Sequence, residues 1–377
     1  MSISQENLDR IIELRHLLHN CPDLSLNESE TIEILKKFLR DNTSLVIVDM
    51  DGWFYAVKRS HTKSDAAVQD AGPIAFRAEL DALPMDESIP LPYASGNAGV
   101  SHKCGHDGHM AALCGLALEL ENAKVDRTVY LIFQPAEETG QGAVLCADLI
   151  REKGIGEIYS FHNLSAYPEG SIVYRKNLTQ PASEGVLIRM HGKPSHASAP
   201  EEGSNPAMAI AELALFARCL ADNPPAGMAL CTIVGMECGD GDFGISPGVG
   251  SISVTLRAEE ESFMKDMETK LLHKAEELAA VFNLHTEHEI HDYFPETRNN
   301  DEALQKVIRK ASEIGLSVIE MDDLWRASED FGHFLKICPG AIFYIGNGND
   351  YPALHTSGYD FNDRILETAI NMFLALC

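Results

Sequence analysis

Between residues 7 and 19 apolar side chains return every three or four positions, at Leu8, Ile11, Ile12, Leu14, Leu17 and Leu18, and this spacing predicts a helix with one buried face. A second helix is predicted over 28–40, stopping before Asp41-Asn42. Three short β-rich runs follow: LVIVDM (45–50), WFYAVKR (53–59) and PIAFRAEL (73–80). MAALCGLALELENA (110–123) reads as a helix, TVYLIFQP (128–135) as a strand, 142–152 as a helix and EIYSFHN (157–163) as a strand. Strands alternating with helices predict an α/β layered fold, with helices around a mixed sheet. SHTKSDAAVQDAG (60–72) reads as an exposed polar loop.

The pattern changes after about residue 180. A strand (GVLIRMHG), a helix (NPAMAIAELALFARCLA), two strands (MALCTIVGME and GSISVTLRAEE), a helix (SFMKDMETKLLHKAEELAAVF) and a strand (LHTEHEIHDY) follow in order. That is the β-α-β-β-α-β order of a ferredoxin-like sandwich. From Asp301 the alternation resumes with EALQKVIRKASEIG, SVIEMDD, EDFGHFLKI and GAIFYIGN. The expected organisation is therefore a discontinuous first domain, 1–179 with 294–377, and a second domain, 180–293, inserted into it.

Composition narrows the function classes. A net charge of −27 over 377 residues argues against nucleic acid and against an anionic membrane surface as partners. Nine cysteines, an odd number without regular spacing, suit reduced thiols and a cytoplasmic setting. MSISQENLDR lacks the basic and apolar regions of a signal peptide, and no apolar run is long enough to span a bilayer.

Four short segments carry the candidate chemistry. R-A-E-L-D-A-L-P (77–84) ends a predicted strand with Glu79 and Asp81, two apart and so on one face; alone, the pair reads more readily as a solvated strand end than as a functional site. K-C-G-H-D-G-H (103–109) offers Cys104 and His106, a thiolate and an imidazole suited to zinc and similar ions, with His109 able to join if the helix starts early. Q-P-A-E-E-T-G (134–140) places Glu137 and Glu138 after an apolar strand, where α/β folds hold ligands. One of these carboxylates could bind metal while its neighbour removes a proton from water; a solvated acidic turn is the alternative. F-H-N (161–163) adds His162 at another strand end, and A-L-H-T-S-G (353–358) adds His355 in a loop. With only one Cys–His pair local and carboxylates among the rest, the set suits a hydrolytic centre better than a structural zinc knuckle.

Taken in order, these segments resemble the M20 metallopeptidase family, specifically its amidohydrolase branch. The likeness begins with R-H-L-L-H-N-C-P-D-L-S (15–25) and runs through E-L-D-A-L-P, C-G-H-D-G-H, Q-P-A-E-E and F-H-N to G-K-P-S-H-A (192–197), S-E-D-F (328–331) and L-H-T (354–356). It implies a catalytic domain carrying an inserted lid or dimerisation domain, and a second copy of the chain as partner in a homodimer. It also implies two divalent metal ions, zinc foremost and manganese, cobalt or nickel as alternatives, on Cys104, His106, Glu138, His162 and His355. Glu137 matches the family's general base, His196 the histidine that binds the scissile carbonyl oxygen, and Asp81 the carboxylate supporting the metal site. The implied activity is hydrolysis of an N-acyl amino acid or related small amide; a metallo-dipeptidase or carboxypeptidase, and a non-catalytic binding descendant, are the alternatives. Two positions depart from the pattern. Glu79 replaces an Asp, and Gly244, in G-I-S-P (244–247), replaces an Asn that helps hold substrate, while Arg257 matches the arginine that follows.

Overall fold

The computed structural model describes residues 3–61 and 72–377, so most of the polar 60–72 stretch lies outside the described residues. The chain divides into two compact units. The first takes in the chain up to Thr179 with Thr297–Leu324 and Asp330–Cys377; the second is Gln180–Glu296 with Trp325–Glu329.

An eight-stranded mixed sheet forms the first unit, in the order Val46–Asp49, Phe54–Lys58, Val129–Gln134, Ile74–Glu79, Glu157–Leu164, Gly340–Gly346, Ile172–Tyr174, Val318–Glu320. The four central strands, from Val129–Gln134 to Gly340–Gly346, run parallel. Burial on both faces explains their near-continuous apolar sequences. Helices Gln5–Asn20, His106–Glu121 and Leu366–Leu376 share one core with the sheet, through Ile11, Leu14, Leu113, Leu116, Ile370 and Phe373 against Phe76, Leu131, Phe161 and Phe343. A second core joins Gly142–Lys153 and Phe334 to Ala75, Ile132, Ile158 and Ile342. Parallel strands all end on the same edge, so Glu79, Gln134 and Leu164 deliver their following residues to one place.

Three expectations need correction. The second helix continues to Asn42 because Asn42 Nδ2 donates to the Phe38 carbonyl and both Thr43 N–H and Oγ1 donate to that of Leu39. EDFGHFLKI contributes only the single turn Gly332–Leu335, and SVIEMDD only Val318–Glu320. Helix Leu366–Leu376 was not anticipated: its eleven residues are apolar on most sides, so no polar stripe marks the period.

The second unit holds a four-stranded antiparallel sheet, ordered Ala229–Cys238, Val249–Ala258, Ala182–His191, His285–Phe294. Val186, Ile188, Met190, Ile252, Val254 and Leu256 alternate with outward residues and pack on Ile210, Leu213, Met264, Met267 and Leu271 of helices Ala207–Ala217 and Glu261–Phe282. A two-residue ribbon pairs Ser195–His196 with Ile245–Ser246.

Candidate metal centre

Past the strand Ile74–Glu79 the chain turns, and Asp81 is fully buried rather than solvated. Its backbone carbonyl accepts from His106 Nδ1 at 2.8 Å, while its Oδ2 accepts from Ser25 Oγ at 2.7 Å and the Glu138 N–H at 2.9 Å. Gly105 makes the metal loop possible: its φ is +96°, and a Cβ there would meet Asn163 Oδ1 at 2.4 Å. The helix consequently starts at His106, and His109 follows on the same side one turn later. Both His109 nitrogens are engaged, Nδ1 with Glu79 at 2.8 Å and Nε2 with the Asn163 side chain at 2.6 Å. His109 therefore braces the loop instead of presenting a lone pair. Glu79 also pairs with the buried Arg77; burial opposes its charge, but Arg77 and His109 hold its carboxyl well below the usual range.

The five donors singled out in the sequence converge. Cys104 Sγ lies 3.4 Å from His162 Nε2 and 3.2 Å from His355 Nε2. Glu138 Oε1 is 3.9 Å from His106 Nε2 and 3.7 Å from His355 Nε2, and Glu137 Oε2 is 3.9 Å from the same His106 nitrogen. Bonds of roughly 2.0–2.3 Å to a tetrahedral ion place neighbouring donors about 3.5 Å apart, so these spacings suit shared cations. Tautomers agree as well. His106 Nδ1–H donates to Asp81 and His162 Nδ1–H to the Asn163 carbonyl at 2.8 Å, which turns each Nε2 lone pair inward. His106 Nε2 and Glu138 Oε1 are buried and make no hydrogen bond. Two buried polar atoms that face each other without a hydrogen bond mark a place that a bound cation would satisfy. Thiolate, imidazole and carboxylate together match a borderline-soft divalent ion.

Electrostatics point the same way. Burial pushes the Cys104 thiol well up, and the carboxylates of Glu138 and Glu137 add to it. Burial also raises Glu138, to about 7, with Asp81 opposing the compensating His106. His106 resists the charged form by burial, yet its bond to Asp81 and the nearby Glu79 and Glu138 carry it up to about 10. His162 and His355 are both pushed down, chiefly by burial. The pocket holds more negative charge than its own protons comfortably offset.

The loop after Val129–Gln134 is built tightly. Ala136 adopts φ +48°, and its carbonyl accepts from the N–H groups of Gln141 and Gly142. Gly142 is obligatory, since a Cβ would fall 1.5 Å from the Pro135 carbonyl oxygen. The Ala136 N–H donates to Glu28 Oε1 at 2.7 Å. Glu28 is buried and was not singled out from sequence, because it acts on backbone and belongs to no ligand pattern. Burial and the neighbouring Asp81 push its carboxyl up to about 7.

Of the other residues in the 101–110 stretch, Asp107 bonds His19 Nδ1 at 2.8 Å and faces Arg15 at 3.4 Å. His102 is buried with neither ring nitrogen hydrogen-bonded. His196 belongs to the second unit, where it is exposed and its Nδ1 accepts from the Ser198 hydroxyl at 2.7 Å. The adjacent Ala197 N–H donates to the Gly244 carbonyl, so Gly244 sits beside His196 in the same ribbon. Arg257, also there, donates to the Arg326 carbonyl at 2.6 Å.

Residues 75–377 match the model of Peptidase family M20/M25/M40. An N-acetyl-L-cysteine deacetylase of Bacillus subtilis is 29% identical over 92% of this chain and 82% of its own length. A thermostable carboxypeptidase of Saccharolobus solfataricus is also 29% identical, over 95% of this chain and 92% of its own. Among solved structures, a dinuclear metal-binding M20 peptidase of Bacillus subtilis superposes with a TM-score of 0.81 at 24% identity, covering 99% of this chain and 98% of that one. With four-fifths of its length under the family model and a cation-ready cluster at the strand ends, the chain belongs to peptidase family M20/M25/M40 and is a metal-dependent hydrolase of amide bonds.

Proposed function

We propose that the chain cleaves the amide bond of N-acyl amino acids or related small amides, with two divalent ions held by Cys104, His106, Glu138, His162 and His355. The observation that carries this reading is the convergence of those five donors around two unpaired buried atoms, with Glu137 alongside. Bound there, the ions would supply a polarised carbonyl and a water whose pKa is drawn toward neutrality. Glu137 takes the proton of the attacking water and delivers it to the leaving amine nitrogen. Asp81 fixes the orientation of His106 through Nδ1 and the Glu138 backbone through Oδ2. His196 hydrogen-bonds the carbonyl oxygen as negative charge grows on it, from its own chain or a partner's.

On this reading the first unit is the catalytic domain and the second, ferredoxin-like in strand order, is the lid and dimerisation domain. Exposed Met208, Leu215, Val234 and Met236 on that unit support a homodimer. Nine free thiols suit a reducing, cytoplasmic setting, and no helix among the described residues is long and apolar enough to cross a membrane. Zinc best suits the thiolate–imidazole donors, ahead of manganese, cobalt or nickel. The similarity to an N-acetyl-L-cysteine deacetylase supports an acyl amino acid as substrate.

A second reading, a metallo-dipeptidase or carboxypeptidase, is favoured by two observations: the equally similar carboxypeptidase, and Gly244 in place of the pattern's substrate-binding Asn. The test is turnover of N-acetyl-L-cysteine, N-benzoylglycine and dipeptides by protein loaded with each metal in turn. Cleavage of the acyl amino acids is expected. Cleavage of dipeptides alone moves the assignment to the second reading, and no turnover with two ions bound per chain overturns both.

A further inference from the structure

Glu28 occupies the N-cap position of helix Ser29–Asn42 but makes no capping bond. That task falls to Asp23, whose Oδ2 accepts from the Thr31 N–H at 2.9 Å. The Glu28 side chain instead reaches the Ala136 N–H at 2.7 Å, with only 3% of the residue exposed. A buried carboxylate is unfavourable unless it is well bonded, and so is a non-glycine residue such as Ala136 in the left-handed region. These two unfavourable features meet in one hydrogen bond. Immediately after it come Glu137 and Glu138, and the Glu138 N–H is held in turn by Asp81 Oδ2 at 2.9 Å. The backbone of Glu137 is thus pinned on both sides by carboxylates that are not themselves metal donors.

We infer that Glu28 is a positioning residue for the base: by accepting the Ala136 N–H it fixes the direction in which the backbone presents Glu137. This rests on the reading of Glu137 as the base. A carboxamide oxygen can also accept that N–H, though more weakly than a carboxylate, so what matters at position 28 is an acceptor at the right reach. Charge and bulk are secondary.

Three variants of the metal-loaded protein separate those properties, each assayed for kcat, KM, metal content and Tm on N-acetyl-L-cysteine, or on N-benzoylglycine if that is the substrate turned over. Glu28→Gln keeps reach and acceptor and is expected to lose no more than about threefold in kcat. Glu28→Met keeps the volume without the acceptor, and Glu28→Asp keeps the charge with shorter reach. Both are expected to lose about 10- to 100-fold in kcat, the scale on which a misplaced catalytic group costs rate, with KM and metal content nearly unchanged. If the Met variant does not fold, the Asp and Gln pair still decides. Equal kcat in all variants that fold, or a Gln variant as slow as the others, overturns the inference. Glu137→Gln is measured beside them. Should it stay active, the base assignment falls; should it be inactive while Met and Asp keep full kcat, only the role of Glu28 falls.

Discussion

His19, Asp107 and Asp360 bring polar atoms within 4.8 Å of one another, as do Cys104, Glu138 and His355. Each group draws one member from the 103–109 stretch, Asp107 or Cys104, and both combine histidine with carboxylate. They differ in what closes the charge. In the first, Arg15 Nη1 reaches Asp360 at 2.7 Å and Asp107 at 3.4 Å, its Nε reaches Asp363 at 2.8 Å, and both His19 nitrogens are bonded, to Asp107 and Glu87. In the second, no lysine or arginine among the described residues pairs with the group, and His106 Nε2 and Glu138 Oε1 make no hydrogen bond. Residue type and spacing therefore do not by themselves define a metal site. The decisive feature is whether the protein has already supplied its own cation.

The largest expected effect tests the open group. Glu137→Gln should lower kcat to about a thousandth of wild type, within the range a general base contributes, while elemental analysis finds the metal content unchanged. Retention of most activity would remove Glu137 from the base role. The closed group should respond in stability instead. Arg15→Met leaves buried carboxylates uncompensated and should cost about 3–5 kcal/mol in urea denaturation. Cys104→Ala, compared as metal-free protein, should cost only about 1–2 kcal/mol but abolish tight metal binding. Equal destabilisation by the two would erase the distinction between the groups.

A pH series sharpens the comparison further. Burial disfavours charged His19, but its bonds to Asp107 and Glu87 raise it to about 9 from an ordinary 6.5. The folded protein therefore keeps this proton over a range in which the unfolded chain releases it. The stabilisation is complete below about pH 6.5 and is lost as pH rises through about 9, a decline of about 3 kcal/mol. Denaturation of His19→Gln from pH 6 to 9.5 should show a flatter profile; an unchanged slope would mean that His19 is not the group responsible. The smallest effect is expected at Gly244→Asn, which restores a polar anchor beside His196. KM for N-acetyl-L-cysteine should fall about three- to tenfold with kcat little altered, and an unchanged KM would leave the anchor role without support.

Period and composition made the framework legible. Alternating apolar runs marked the central strands, and the 3.6-residue stripe marked helix Gln5–Asn20. Segments of three residues such as Ile172–Tyr174 are too short to show a period. The donors that the structure gathers were also legible, because Cys104 with His106 and Glu137 with Glu138 are adjacent in sequence and of ligand type. Glu28 and Arg15 were beyond such a reading. Each acts through partners chosen by the fold, a backbone N–H at residue 136 for Glu28 and carboxylates at 107, 360 and 363 for Arg15. A spacing rule sees neither, since the contacts span 92 to 348 residues of chain.

The place of Gly340–Gly346 in the sheet has a consequence for biosynthesis. Glu157–Leu164 and Ile172–Tyr174 are near neighbours in sequence, yet Gly340–Gly346 lies between them. A nascent chain that has emerged through residue 180 therefore has a gap in its main sheet, with four of the proposed metal donors made and the fifth, His355, still untranslated. Ribosome stalling or proteolysis before residue 340 yields a chain with a split sheet and an incomplete set of the proposed donors, a natural substrate for chaperones and quality control. On the proposed donor set, complete metal loading would wait for the arrival of the C-terminal strand and loop.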